Sequence, residues 1–191
     1  MEFKIENFKV VPLEKGAYVK PFLATFTLNG EKKDWEVIKV GDSVAILIYK
    51  KDTQSFVLVK QFRPAVYFNH DIPYTYELCA GLLDKNLTLE EIASEEILEE
   101  TGFSVAPSEL EKINSFFTCV GSSGSKQTLF YAEVDESKRV NSGGGVQGEE
   151  QIEVIELPLA KAKEFLFDEH IAKTPGLMFA FYWFFQEKAN D

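Results

Sequence analysis

The 191-residue sequence has little of what several classes of protein require. Its two cysteines, Cys79 and Cys119, are too few for the disulfide framework of a small secreted domain. No apolar run approaches the roughly 18 to 20 residues of a membrane span, and the first ten residues lack the apolar core of a signal peptide. His70 and His170 lack the spacing of a zinc site. These absences predict a cytoplasmic protein without a membrane partner.

Positive charge is also scarce. The chain has 20 Lys and Arg residues against 31 Asp and Glu residues, for a net charge of -11. Nucleic-acid polymers bind basic surfaces, so this balance argues against such a partner. A small nucleotide remains compatible, because a divalent cation and a nearby arginine can reverse the potential within one pocket. The apolar content of 45% is enough for one well-packed domain, with room for a small appended lobe.

The most informative stretch is AGLLDKNLTLEEIASEEILEETGF, residues 80–103. Thr88 and Glu91 have the spacing of a capping box, which predicts that a helix begins there after a turn at Gly81. Gly102 predicts the end of that helix, since glycine readily adopts the positive φ that closes a last turn. We call residues 88–102 the acidic helix.

Three carboxylates, on Glu96, Glu99 and Glu100, stack on the acidic helix at i, i+3 and i+4. They continue the apolar face formed by Leu89, Ile92, Ala93 and Ile97. Like charges at this spacing repel, and they lie at the negative end of the helix dipole with no cation in the last turn. Closely spaced carboxylates suit Mg²⁺ or Mn²⁺, which predicts a metal site. The alternative is an ordinary solvated acidic helix.

The spacing of these residues resembles the box of the Nudix hydrolases, G-x5-E-x7-R-E-U-x-E-E-x-G-U, in which U is bulky and apolar. Seven positions match: Gly81, Glu96, Ile97, Glu99, Glu100, Gly102 and Phe103. Two differ, because Leu87 stands where the first Glu belongs and Glu95 where the Arg belongs. The resemblance implies Mg²⁺ held by Glu96, Glu99, Glu100 and the carbonyl of Ala80.

The remaining elements fit the same resemblance. Two strands, at residues 22–28 and 35–40, flank the hairpin signal Asn29-Gly30. Further strands are predicted at residues 43–49, 56–62, 75–80, 110–120, 127–134 and 152–157, with helices at 159–167 and from Pro175. We therefore predict an α+β fold: a Nudix α/β/α sandwich with a mixed β-sheet, at residues 43–191, after an N-terminal β lobe at residues 1–42. The resemblance implies a homodimer in which the lobes help to form both sites.

Three residues outside the acidic helix are predicted to contact substrate. Arg63, where proline ends a strand, can hold two phosphate oxygens in a bidentate fork. The sequence LVKQFRPAVY around it resembles the nucleoside-diphosphate-sugar branch of the Nudix family, whose matching arginine contacts the diphosphate. Trp35 matches a base-stacking tryptophan of related hydrolases, and Lys126 ends a Gly-Ser loop that could hold an anion. The alternatives are a surface ion pair, a packing tryptophan and a simple turn.

The loop at residues 141–150 is glycine-rich and too long for a tight connection, which indicates either disorder or function. The resemblance implies that a glutamate on this loop or on the acidic helix activates the attacking water. Glu150 best matches the loop position, Glu149 is the second choice, and Glu99 is the candidate on the helix. The alternative is that Glu149 and Glu150 are solvated acids.

These resemblances together imply Mg²⁺-dependent hydrolysis of UDP-sugars, with UDP-glucose giving UMP and glucose 1-phosphate. Two other functions stay open. The box serves hydrolases of ADP-ribose and ADP-sugars equally well, and the substitutions at Leu87 and Glu95 are compatible with a nucleotide-binding protein that lacks catalysis.

Overall fold

The first two strands form a hairpin that is separate from the main sheet. The computed structural model describes residues 4–16, 19–146 and 151–188. Strand β1 (Lys20–Leu28) pairs antiparallel with β2 (Glu31–Lys39) along its whole length. Asn29 and Gly30 turn between them with φ of 53° and 86°, the positive values that a tight two-residue turn requires. This hairpin is the small antiparallel N-terminal sheet that was predicted.

The second sheet has seven strands and is mixed. Strand β3 runs parallel to β8, and the other pairs are antiparallel. The outer neighbours are β9 beside β4 and β7 beside β8. The strands are β3 (Ser43–Lys50), β4 (Ser55–Gln61), β5 (Thr75–Glu77), β6 (Cys79–Leu82), β7 (Glu111–Thr118), β8 (Ser125–Val134) and β9 (Ile152–Pro158).

Strands β3 and β4 separate to form a fork. They pair with each other only over Ile48–Lys50 and Ser55–Val57. Beyond that point β5 pairs with β4 and β6 pairs with β3, so residues 75–82 run into the fork along one arm and leave along the other. The bend falls at Leu78, which is buried. The segment that was predicted as one strand at residues 75–80 is therefore two short strands, because its backbone changes partner.

Helices cover both faces of the mixed sheet. On one face α2 (Leu89–Glu96) continues as a π-helical turn (Ile97–Thr101) and packs on Val44, Ile46 and Ile48. On the other face α3 (Leu159–Phe167) and α4 (Pro175–Glu187) pack on Leu47, Phe56 and Leu58. The remaining helical pieces are α1 (Pro64–His70) and two 3₁₀ turns at Pro107–Glu109 and Glu136–Lys138. No helix in the described part of the chain is long and apolar enough to cross a bilayer.

The helices show one departure from the predictions, at α1, and one partly exposed apolar helix, α4. Helix α1 was missed: Pro64 ends β4 as predicted, but it also occupies the first helical position, where its fixed φ favours a helix. Helix α4 is apolar on nearly every side, yet only part of its surface is buried. Leu177, Ala180 and Phe181 are indeed buried, whereas Tyr182 is 47% exposed on the outer face.

Candidate active site

Strand register gathers most of the predicted site residues at one end of the mixed sheet. Ser43 at the start of β3 pairs with both Leu82 at the end of β6 and Gln127 near the start of β8. Gln61 at the end of β4 pairs with Ile152 at the start of β9. Because β3 and β4 are antiparallel, all of these strand ends face the same side of the molecule. This side is also the open end of the fork.

Two carboxylates of the acidic helix converge on β6 at this end. The capping box of Thr88 and Glu91 is present as predicted, and Gly102 closes the helix with φ of 78°. Glu100 is only 4% exposed, and its Oε2 accepts a hydrogen bond from the Ala80 N–H at 3.0 Å. Glu96 lies against the next residue: a methyl group on Gly81 would overlap the Glu96 carboxylate. Gly81 is therefore required by close approach.

This arrangement fits a divalent cation of the Mg²⁺ type. The N–H and C=O of one residue in an extended strand point to the same edge, so the Ala80 carbonyl shares the edge that faces Glu100. Within residues 4–16, 19–146 and 151–188, no group of three or more His, Cys, Asp or Glu side chains is close enough to hold a metal. Mg²⁺ commonly takes one or two carboxylates and completes its shell with water and substrate phosphates, so two converging carboxylates are compatible with it.

Lys85 supplies a cation beside the acidic helix. Its Nζ lies 2.6 Å from Glu95 Oε2, in the loop between β6 and α2. The hydrogen bond to Glu95, together with the charges of Glu95, Glu99 and Glu96, raises the pKa of Lys85 although partial desolvation opposes the change. Because Lys85 stays charged at any ordinary pH, it offsets part of the repulsion among these carboxylates. Sequence reasoning overlooked Lys85, since its pairing with a residue ten positions later needed the fold.

Arg63 lies at the end of β4, and its guanidinium reaches back into the fork. Its Nε and Nη2 donate to the two carboxylate oxygens of Glu77 at 2.8 and 2.9 Å. Glu77 also accepts from Thr75 Oγ1 at 2.5 Å, and only 11% of its side chain is exposed. Arg63 thus has the bidentate geometry expected for binding a diphosphate, but its partner here is the Glu77 carboxylate. The Arg63 side chain is 47% exposed. Glu77 was not anticipated as the group that orients Arg63.

Trp35 and Lys126 lie toward the same end but on the outer surface. The Trp35 ring is exposed, and its Nε1 donates to the Gly121 carbonyl at 2.8 Å. A groove of about 420 Å³ lies beside this contact and is lined by residues of the hairpin and of the β7–β8 loop. Lys126 is exposed, and its backbone N–H donates to Asp42 Oδ1 at 2.9 Å.

The anion-binding hypothesis for the β7–β8 loop is not supported. The backbone N–H groups of Ser122, Ser123 and Gly124 all donate to the Cys119 carbonyl, at 2.9, 3.0 and 3.2 Å. They form a tight turn and are directed into the loop, so they are not available to an anion outside it.

The loop that was predicted to carry the general base begins at this end of the sheet as well. Glu149 and Glu150 lie outside the described residues, so their role stays a prediction. On either side of them, the Ile152 N–H donates to the Gly144 carbonyl at 3.2 Å, which ties the two stems of the loop together. Gly144 in turn contacts the acidic helix, because its N–H donates to the Glu100 carbonyl at 2.9 Å.

Comparison with known proteins shows the family of this chain. The model of the NUDIX domain matches residues 39–175. The chain belongs to the Nudix family. It is 41% identical to the uridine diphosphate glucose pyrophosphatase NUDT14 of Bos taurus, over 95% of each chain. It is 36% identical to the GDP-mannose pyrophosphatase of Cronobacter sakazakii, over 86% of each chain.

A solved structure shows the same fold. The ADP compounds hydrolase superimposes on this Nudix protein with a TM-score of 0.69 at 16% identity, covering 92% of this chain and 91% of the other. The match confirms the predicted α+β Nudix fold. At the two positions that depart from the box, Leu87 is an exposed apolar residue and Glu95 forms an ion pair with Lys85.

Substitution of Gly81 by alanine is expected to displace the Glu96 carboxylate from β6, because the new methyl group overlaps it. Misplacing a catalytic group by about 1 Å can cost about 100-fold in rate, so the prediction that Glu96 is a metal ligand leads us to expect a loss of that size in hydrolytic turnover. Gly41→Ala is the matched control, since its Cβ would meet only Leu82 Cδ2 at 3.8 Å. Equal turnover in the two variants would contradict the placement of Glu96.

Reversal of the Lys85–Glu95 pair tests how far Lys85 stabilises the acidic helix. Lys85→Glu adds a fourth acid beside Glu95, Glu96 and Glu99, and we expect a lower melting temperature at low salt. The double variant Lys85→Glu with Glu95→Arg should recover most of the loss, with a coupling free energy of at most about 1 kcal/mol, as is usual for exposed pairs. Additive effects of the two substitutions would show that the pair does not interact.

Proposed function

We propose that this Nudix protein hydrolyses the diphosphate of UDP-sugars in a Mg²⁺-dependent reaction, with UDP-glucose giving UMP and glucose 1-phosphate. The observation that carries the proposal is the convergence of the Glu96 and Glu100 carboxylates on Ala80 and Gly81, at the sheet end where Arg63 also lies. Similarity to relatives named as UDP-glucose pyrophosphatases, at 41% and 38% identity, supports the choice of sugar nucleotide.

Glu96, Glu100 and the Ala80 carbonyl are the proposed ligands of the divalent ion, and Glu99 is a further ligand or a partner of the bound water. Such an ion neutralises charge on the diphosphate oxygens and lowers the pKa of bound water. Phosphoryl chemistry depends mainly on positioning and charge stabilisation, so an arginine beside the carboxylates is suited to stabilise the diphosphate charge. Arg63 has this role in the proposal, and Glu77, which accepts from its Nε and Nη2, holds the guanidinium in place.

The proposed general base is Glu150, with Glu149 or Glu99 as alternatives. A general base must lie within hydrogen-bond reach of the attacking water, directly or through one bridging water.

Trp35 is the proposed contact to the nucleobase of the substrate, because its exposed ring borders the groove beside the hairpin. Stacking tolerates any planar base, so Trp35 alone does not select uracil. Lys126 is the proposed auxiliary contact to the negatively charged substrate.

We further propose a homodimer, residues 1–42 acting as an N-terminal lobe and residues 43–191 as the hydrolase domain. Phe22, Phe26 and Leu28 are exposed on one face of β1, and an isolated two-stranded hairpin is marginally stable, which supports a partner for this face. Cys79 is buried, Cys119 is exposed, and the two are not joined in a disulfide, which supports a reducing compartment such as the cytoplasm. The net charge of -11 supports a small nucleotide as the partner, in preference to a nucleic-acid polymer or an anionic membrane surface.

Turnover with Mg²⁺ against UDP-glucose, GDP-mannose, ADP-ribose and ADP-glucose tests the substrate. We expect the highest kcat/KM with UDP-glucose and complete loss of activity in EDTA. Preference for GDP-mannose would indicate the activity named for the GDP-mannose pyrophosphatase relatives. Preference for an adenine nucleotide would favour the ADP-ribose and ADP-sugar alternative. Hydrolysis of none of the four would favour a binding protein without catalysis.

Glu100→Gln tests the metal ligands. The amide keeps the size of the side chain and an acceptor for the Ala80 N–H, but it removes a negative charge beside Glu96. We expect turnover to fall by more than the roughly 10- to 100-fold typical of groups outside the ligand set. The melting temperature in EDTA should be equal or higher, because repulsion on the acidic helix decreases. Near-normal turnover would contradict the assignment.

The dimer is tested by charges on the two faces of β1. Phe26→Asp places an acid opposite Lys33, and Thr25→Lys places a base opposite Asp34, so each gains a complementary cross-strand pair. We expect Phe26→Asp to sediment as a monomer and Thr25→Lys to sediment as a dimer. Dimers in both variants would exclude the Phe22–Phe26 face as the interface.

A further inference from the structure

The acidic helix ends against a turn formed by residues 141–145, which we call the glycine turn. The Gly144 N–H donates to the Glu100 carbonyl at 2.9 Å, and the Gly145 N–H donates to the Glu99 carbonyl at 3.1 Å. The last turn of a helix leaves its carbonyls without partners inside the helix. Here two of those carbonyls belong to residues whose side chains are the proposed metal ligands, and the glycine turn satisfies both.

Only glycine allows the turn to approach this closely. Gly143, Gly144 and Gly145 have φ of 65°, 112° and 82°, a region that side chains disfavour. A methyl group on Gly143 would overlap the Glu100 carbonyl and lie 2.6 Å from the Thr101 carbonyl carbon. The Asn141 side chain holds the turn in shape, because its Oδ1 accepts from the Gly143 N–H at 2.7 Å.

The contact is reciprocal. The acidic helix ends at Gly102, where a methyl group would overlap the Asn141 carbonyl. The Val140 and Asn141 N–H groups donate to the Gly102 carbonyl at 2.8 and 3.3 Å. Thus the glycine turn and the end of the acidic helix are packed backbone to backbone, with glycine on both sides.

The helical segment that carries Glu99 and Glu100 is irregular. Residues Ile97–Thr101 form a π-helical turn, an arrangement found mostly as single turns and often at functional sites. Arg139, which precedes the glycine turn, lies over the Phe103 ring and donates to the Thr101 carbonyl at 3.5 Å. The backbone position of Glu99 and Glu100 is therefore set by the contacts with residues 139–145 as well as by the helix.

We propose that the glycine turn is a positioning device for the metal site, acting through the backbone of Glu99 and Glu100. The inference rests on the proposed function, because it takes these residues as ligands of a divalent ion. In this proposal Asn141, Gly143, Gly144 and Gly145 are positioning residues, because Gly144 and Gly145 bond the backbone of the acidic helix, while Asn141 and Gly143 shape the turn. Their contribution is to keep the carboxylate of Glu100 against Ala80 when the substrate is absent.

The test is Mn²⁺ binding to the full chain without substrate, measured by electron paramagnetic resonance. Gly143→Ala inserts a methyl group into the end of the acidic helix, and we expect the Kd for Mn²⁺ to rise about 10-fold, within the range known for groups that orient metal ligands. In turnover assays, the Mg²⁺ concentration for half-maximal rate should rise by a similar factor, while KM for UDP-glucose at saturating Mg²⁺ stays within about 2-fold.

Gly30→Ala is the matched control. Gly30 also has a positive φ, of 86°, but a methyl group there would meet nothing within 4 Å. This control carries the same kind of backbone strain and should bind Mn²⁺ as the unaltered protein does. If Gly143→Ala does not fold, Asn141→Ala decides instead, because it removes the bond to the Gly143 N–H without adding atoms, and it should weaken Mn²⁺ binding in the same direction.

Unchanged Mn²⁺ affinity in folded Gly143→Ala, or in Asn141→Ala if that variant has to be used, would overturn the positioning role and leave the proposed function standing. Failure of the unaltered protein to bind Mn²⁺, or unchanged binding after Glu100→Gln, would overturn the proposed function and the inference together.

Discussion

The structure holds several carboxylates together at the C-terminal end of a helix, where the helix dipole disfavours negative charge. Glu96 and Glu100 direct their carboxylates to adjacent residues of β6, and Glu99 lies between them in sequence at the negative end of the helix dipole. Burying such a charge without a partner costs several kcal/mol. The surroundings of the acidic helix are therefore best understood as sources of positive charge and hydrogen-bond donors.

Those sources come from three separate parts of the chain. The Ala80 N–H donates directly to Glu100, Lys85 pairs with Glu95 beside the helix, and the glycine turn donates two N–H groups to the carbonyls at its end. Each offsets some of the negative charge, yet two carboxylates, those of Glu96 and Glu100, still converge on β6 near the open end of the fork. A divalent ion and a phosphate-binding arginine complete the balance in the proposed function, which explains why an acidic protein can act on an anionic substrate.

The fork between β3 and β4 determines where this chemistry can occur. In a continuous ladder the polar groups of a strand interior are used by its neighbours. Here the chain bends at Leu78 and pairs with one arm at a time, so Ala80 has an edge that faces the acidic helix and not a neighbouring strand. Arg63 and Glu77 occupy the other arm. The two arms thus present carboxylates and a guanidinium toward the same opening.

Local patterns in the sequence were enough for the elements with clear boundaries. The capping box at Thr88, the closing glycine at Gly102, the hairpin at Asn29-Gly30 and the helix at Leu159–Phe167 were all confirmed, because each depends on contacts within a few residues. Helix α1 could have been found from Pro64 at its first position. The fold itself followed from the resemblance of the box, which records spacing but not contacts.

The sequence by itself determined that a strand, a glycine and a helix with stacked carboxylates follow one another, since caps and periodicity are local. Only the tertiary structure decided which groups meet those carboxylates. Three of these contacts join residues from different elements: the Arg63–Glu77 pair, the Lys85–Glu95 pair and the glycine turn. The bend at Leu78 requires the backbone to change its strand partner. Such contacts arise from strand register and packing, which no short stretch of sequence specifies.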